Sequence, residues 1–241
     1  MSLAATLDSL HAQARHNRWL QHFTVFNRVV LAMGFLPAGY VKIAGERFTD
    51  LAINQPMGHY LYAFYRTGFY YPFVGVVQML AAVLLLIPRT ATLGAVLYFP
   101  IILNIFILTI SVRFVGSILT SPLMVLANLY LLCWDYDKLK HLLPWRRPTP
   151  ELETQHSISN AFPTYFFAGV VAAIFTVAFT VSHLYTIQPY NTFQDCIKRC
   201  PGNSKSAACY TFCDCIHNGG EPLDKCLDEY NRAPANPVRR P

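Results

Sequence analysis

Two sets of side chains in this chain have the types and spacing to do chemistry. The first is a run of cysteines, Cys196-x3-Cys200 and Cys209-x3-Cys213, followed by Cys215 and Cys226. Four-residue spacing puts both thiols of each motif on one helix face. Pro201-Gly202-Asn203 between them is a turn signal. The geometric expectation is two short antiparallel helices stapled as Cys196–Cys213 and Cys200–Cys209, with Cys215–Cys226 closing the loop around Gly219 and Gly220. Six cysteines allow many other connectivities. A metal reading competes, because Cys213, Cys215 and His217 are close in sequence, although zinc sites usually repeat a two-to-four-residue spacing. A dense, even set of cysteines reads as disulfides in an oxidising compartment, so no metal site is expected. There is no CxxCH for haem attachment and no CxxC for thiol exchange. The unit is too small to bury a sufficient core without staples, and its expected purpose is docking.

The second set is polar and lies in apolar runs. Gln78, Asn104 and Asn128 each fall inside a hydrophobic stretch, and Arg28 and Lys42 lie near the two ends of another. Polar groups in hydrocarbon are costly, so each needs a reason. Amides at such depths usually hydrogen-bond between helices. If the three amides face inward they make one polar patch, which suits a quinone carbonyl or a lipid headgroup because it offers donors without charge. Arg28 and Lys42 can snorkel to water or join that contact. A quinone or a lipid is therefore the candidate ligand, with no covalently bound cofactor. His59, His141 and His183 are not paired at the spacing of haem ligands. No P-loop, GxGxxG, nucleophile elbow or HExxH is present, and no catalytic residue is assigned.

The elements that must position these residues are membrane helices. The chain has 241 residues, 54% hydrophobic and only 13% charged, against roughly 25% charged in soluble domains. Length alone allows one or two domains. The net charge of +6 is scattered around apolar runs, which orients helices in a bilayer and speaks against a nucleic-acid partner. Five segments approach the length that crosses a bilayer: about Val25–Ala44, Tyr71–Ile87, Ala91–Val112, Val115–Cys133 and Thr164–Val181. The aromatic stretch Met57 to Pro72 reads as an interfacial helix leading into the second span, with a ligand lid as its rival. Leu3, Leu7 and Leu10 have the spacing of a surface helix. Met1 to Phe23 has no apolar core, so no cleavable signal is expected.

Lys and Arg in the short loops set the orientation. Arg15, Arg18, Arg89, Lys138, Lys140, Arg146 and Arg147 share one side, against Arg47, Arg66 and Arg113 on the other. This favours a cytoplasmic N-terminus and places the tail outside, where its cysteines can oxidise. The expected fold class is an all-α membrane protein. Residues 1–24 form a cytoplasmic surface helix and 25–134 a four-helix transmembrane bundle. Residues 135–161 form a cytoplasmic linker, 162–187 the fifth transmembrane helix and 188–241 a disulfide-stapled extracytoplasmic tail. Gly169 and Ala173, four apart on the fifth span, make a flat face for a partner helix or for packing within the chain.

A resemblance follows from several stretches taken in order. They are Arg28, Gly34 and Gly39-Tyr40-Val41-Lys42 in the first span, then Gln78 with Leu84-Leu85-Leu86-Ile87-Pro88-Arg89. Pro100-Ile101-Ile102-Leu103-Asn104 and Ala127-Asn128-Leu129-Tyr130 to Trp134-Asp135 complete the set. From Asn27 to Pro144 the chain resembles the DoxX family of small membrane proteins. The resemblance implies a four-helix bundle and an association with quinone-linked redox or respiratory complexes. Many members carry an acid where this chain has Gln78, which argues against acid–base chemistry there. The fifth span and the tail lie outside the resemblance. The expected function is a non-catalytic accessory subunit of such a complex. It would contact other membrane subunits through the Gly169 and Ala173 face and an extracytoplasmic protein through the tail. A stand-alone quinone-binding component is one alternative, and a non-redox assembly factor, transporter or scaffold is another. The expected location is a bacterial inner membrane, with the mitochondrial inner membrane as the alternative.

Overall fold

The computed structural model describes residues 11–140 and 159–235. The expected surface helix through Leu3, Leu7 and Leu10, most of the linker with Arg146 and Arg147, and the chain end with Arg239 and Arg240 lie outside them. Among the described residues the structure is helical, without named strands.

The long helix α1 (Arg18–Ile43) starts where Asn17 accepts hydrogen bonds from the backbone N–H groups of Trp19 and Leu20, an N-cap that satisfies two orphan donors. It ends in a Schellman motif: Gly45, at φ 73°, donates to Lys42 O, and Glu46 donates to Val41 O. The left-handed position needs glycine. Next comes α2 (Pro56–Tyr65), with proline in its first turn, where no donor is required. It meets α3 (Tyr70–Leu86) at a bend of 98°, so it lies across the end of the bundle, as an interfacial helix would.

Helices α3, α4 (Ala91–Ser111) and α5 (Thr120–Trp134) run back and forth with α1, and α1 packs on both α3 and α5. Their shared core includes Leu31, Phe35, Ala81, Leu85, Tyr98 and Ile102. The Phe35 and Tyr98 rings stack 3.6 Å apart. Helix α5 begins at Thr120, later than the Val115 expected from hydropathy. Arg113 takes a left-handed φ of 53° just after α4, and turns follow it. Pro122, unable to donate, sits in the first turn of α5, where that loss is harmless.

Helices α1, α4 and α7 (Thr164–His183) are long and apolar enough to cross a membrane; α2 with α3 counts as one bent pair, and α5 is apolar but only 15 residues long. After α5 comes the short α6 (Tyr136–Lys140).

The helix α7 buries no residue. It is fastened at both ends instead. At its start, Phe166 and Phe167 pack on Phe23, each with centroids 5.5 Å apart, and Asn17 donates to Ala161 O. At its far end, Tyr185 donates to Ile110 O at 2.6 Å and Arg113 donates to Ile187 O at 3.0 Å. Arg113 also lies 4.5 Å from the Tyr185 ring centroid. Burial lowers the Arg113 pKa and raises that of Tyr185, each partner opposing the other's shift. Between these ends Gly169 and Ala173 are exposed, and a Cβ at Gly169 would meet nothing within 4 Å.

The tail consists of α8 (Phe193–Ile197), a 3-10 turn at Cys200–Gly202, α9 (Ser206–His217) and α10 (Leu223–Arg232). Cys196 and Cys213, Cys200 and Cys209, and Cys215 and Cys226 stand at disulfide distance. Phe212, Ile216 and Tyr230 fill the space between them. His217 lies 2.7 Å from Pro189 O through Nε2. Cys213, Cys215 and His217 thus have three different partners and do not converge on one point.

Candidate ligand cavity

The tail-side end of the bundle holds a cavity of about 650 Å³. That is the size of a site for one small lipophilic molecule. Its walls come from the second half of α1, the first half of α3, the second half of α4 and the first turns of α5. Helix α2 forms its roof through Met57, Tyr60, Leu61 and Phe64. The aromatic stretch thus covers the cavity.

A close helix crossing sets the polar residues of the cavity. A Cβ on Gly39 would lie 2.8 Å from Gly75 O, and one on Gly75 would lie 2.7 Å from Gly39 O. Only glycines let α1 and α3 approach this closely. Lys42 and Gln78 each lie three residues beyond their glycine, hence on the same faces. Both line the cavity and both are buried, Lys42 with 5% and Gln78 with 2% of its surface exposed. Lys42 therefore does not snorkel to water: its Nζ donates to Ala38 O at 2.9 Å and lies 4.4 Å from the Phe48 ring centroid.

Two buried polar atoms on the cavity wall have no hydrogen-bond partner, Gln78 Oε1 and Ser121 Oγ. An unpaired buried group carries a desolvation penalty of about 1–3 kcal/mol. Native structures contain few of these, and each calls for a reason. Asn104 also lines the cavity, but it is exposed on α4, at the edge where the cavity meets the outside of the bundle.

The other two residues expected in this patch lie elsewhere. Asn128 is fully buried and donates to Ala95 O at 3.1 Å, joining α5 to α4 away from the cavity. Arg28 points to the opposite end of the bundle, where its Nη2 lies 3.6 Å from Asp135 Oδ2. Asp135, 3% exposed, also takes a hydrogen bond from Thr92 and an ion pair from Lys138 at 3.0 Å. Asp135 caps the C-terminus of α5 and also ties α1, α4 and α6 together. Hydropathy missed Ser121 because one serine does not interrupt the apolar run Val115–Cys133 in which it lies. It missed Phe48 because that ring reaches the cavity only through the fold.

The fold and this site define a class: an α-helical protein with helices able to span a bilayer and a lipophilic cavity at one end of the helix bundle. Over 117 residues the chain is 38% identical to the uncharacterized protein YwoB of Bacillus subtilis (strain 168), an alignment that takes in 46% of this chain and 75% of YwoB. The chain belongs to the family of YwoB. No family model and no solved structure matches it.

Proposed function

We propose that the chain is a five-span membrane protein of the DoxX type that holds one lipophilic molecule with a polar head, a quinone or a lipid, in its tail-side cavity. One observation carries this reading: a cavity of about 650 Å³ whose wall keeps Gln78 Oε1 and Ser121 Oγ buried without partners. The Ser121 hydroxyl and the Gln78 Nε2–H would donate to an accepting head, and a head that carries a hydroxyl would also donate to Gln78 Oε1. The exposed Asn104 marks the side from which a molecule in the bilayer would enter. Five crossings follow if α3 and α5, which pack antiparallel to spans on either side, cross as well. The charge bias then places the N-terminus in the cytoplasm and the tail in the periplasm of a bacterial inner membrane.

Binding of tritiated decylubiquinone and tritiated oleyl alcohol to the full chain in mild detergent tests the reading. One of them is expected to bind saturably at one per chain. Gln78→Leu and Ser121→Val are each expected to weaken it by roughly 5- to 10-fold, the worth of one neutral hydrogen bond. Absence of saturable binding of both probes, and of single-chain lipids with an anionic head, overturns the proposal.

A second reading, the accessory subunit, is favoured by α7, which is fastened at its two ends and buries nothing between them. A partner helix would pack on the Gly169 and Ala173 face, and the outer side of the tail would meet an extracytoplasmic protein. Co-purification with a cytochrome-bearing complex supports this reading, and a chain that runs alone in mild detergent refutes it.

A further inference from the structure

We infer that the head of the bound molecule is anionic, a carboxylate or a phosphate on a single hydrocarbon chain, and that Lys42 is the group that reads its charge. The inference rests on the proposal that the cavity binds a lipophilic molecule and names the chemistry of its head. A lysine ammonium has three donors and no acceptor. Among the described residues Lys42 has one acceptor, Ala38 O, and no carboxylate within ion-pair distance. The Phe48 face is its other close electrostatic partner, with Tyr71 further off at 6.0 Å. A charge buried this far costs a great deal unless it is paired. The contrast lies within the same bundle, where Arg28 and Lys138 meet the buried Asp135. Lys42 has been given a cavity in place of an acid.

Two donors of Lys42 and the amide of Gln78 would meet the oxygens of the anion, while the chain lies among Phe35, Ile102, Ile105 and Met124. The volume suits one chain rather than a two-chain lipid.

The test compares three probes with the same chain, oleate, oleyl phosphate and oleyl alcohol, on the purified full chain in mild detergent. At least one anion is expected to bind about 10- to 100-fold more tightly than the alcohol, the worth of a charged hydrogen bond. Lys42→Met is expected to abolish that preference and keep the alcohol, whereas Lys42→Arg keeps both. The stronger of the two anions tells a free fatty acid from a phosphate lipid. Equal binding of anions and alcohol overturns the inference and leaves the cavity proposal standing, as does decylubiquinone binding more tightly than either anion. Failure of all four lipophiles to bind the native chain overturns both. Should Lys42→Met fail to fold, the native preference is read against salt: an anion preference that survives Lys42→Gln at native stability also refutes the role of Lys42.

Discussion

In the bundle the buried side chains include Leu31, Phe35, Ala81, Leu85, Tyr98 and Val125, spread over four helices, whereas in the tail half the buried set is cystine sulfur around Phe212 and Ile216. The two regions also treat polar groups differently. The tail satisfies its own: Tyr230 donates to Asn203 Oδ1 at 2.7 Å, and Lys205 donates to the carbonyls of Tyr230 and Asn231 at the end of α10. Among the described residues, the buried polar atoms without partners, on Gln55, Gln78, Ser121 and Asn128, all belong to the bundle and its roof. A small unit with little core gains from cross-links that restrict its unfolded chain. A bundle of long helices has enough packing to tolerate a cavity and a few unpaired groups, and those are the features of a binding site. The tail is a cross-linked unit, whereas the bundle leaves room for the cavity proposed above as a binding site.

Several substitutions break or sharpen this contrast. The largest effect is expected from Asp135→Ala, which strands Arg28 and Lys138 at the far end of the bundle. Removing one partner of a buried pair costs about 3–5 kcal/mol. Thermal unfolding in detergent should show this loss, with the tail disulfides unchanged by non-reducing peptide mapping. Next comes the pair Cys200→Ser with Cys209→Ser, expected to cost the tail about 2–4 kcal/mol. Hydrogen exchange should rise in residues 193–232 and stay unchanged in α1 and α4. If the bundle exchanges faster too, the two regions are one cooperative unit.

Gly75→Ala is expected to cost about 1–3 kcal/mol by overpacking. Its Cβ would press on the Gly39 carbonyl, a backbone atom that cannot step aside. Ligand binding should fall with stability, because the same crossing places Lys42 and Gln78. The smallest effect is expected from Arg113→Ala, which removes one hydrogen bond to Ile187 O and the stack on Tyr185. The loss is about 1–1.5 kcal/mol. It is partly offset by relief of the left-handed backbone if Gly is used instead. Faster exchange confined to residues 184–190 would locate the joint between tail and bundle. An unchanged rate would show that Tyr185 and the Asn54 contact to His217 O suffice.

Hydropathy and spacing alone made the long apolar helices legible, because a run of apolar residues has to be a helix where no water can satisfy the backbone. The four-residue cysteine spacing was informative for Cys209 and Cys213, which share a face of α9, but Cys196 and Cys200 fall in α8 and a separate 3-10 turn. The roof helix was readable from the aromatic stretch Met57 to Pro72, but its 98° bend into α3 was not. The start of α5 was not, because hydropathy does not register a left-handed Arg113 in an apolar segment.

The candidate site divided along the same line. Gln78, Asn104 and Lys42 could be picked out one by one, since each is a polar residue in an apolar run. Nothing in one dimension separated them from Asn128 and Arg28, which satisfy the same criterion and serve packing and an ion pair instead. Only the tertiary structure made that division. The Gly39–Gly75 crossing sets which faces of α1 and α3 meet, and that contact turns Lys42 and Gln78 toward the cavity.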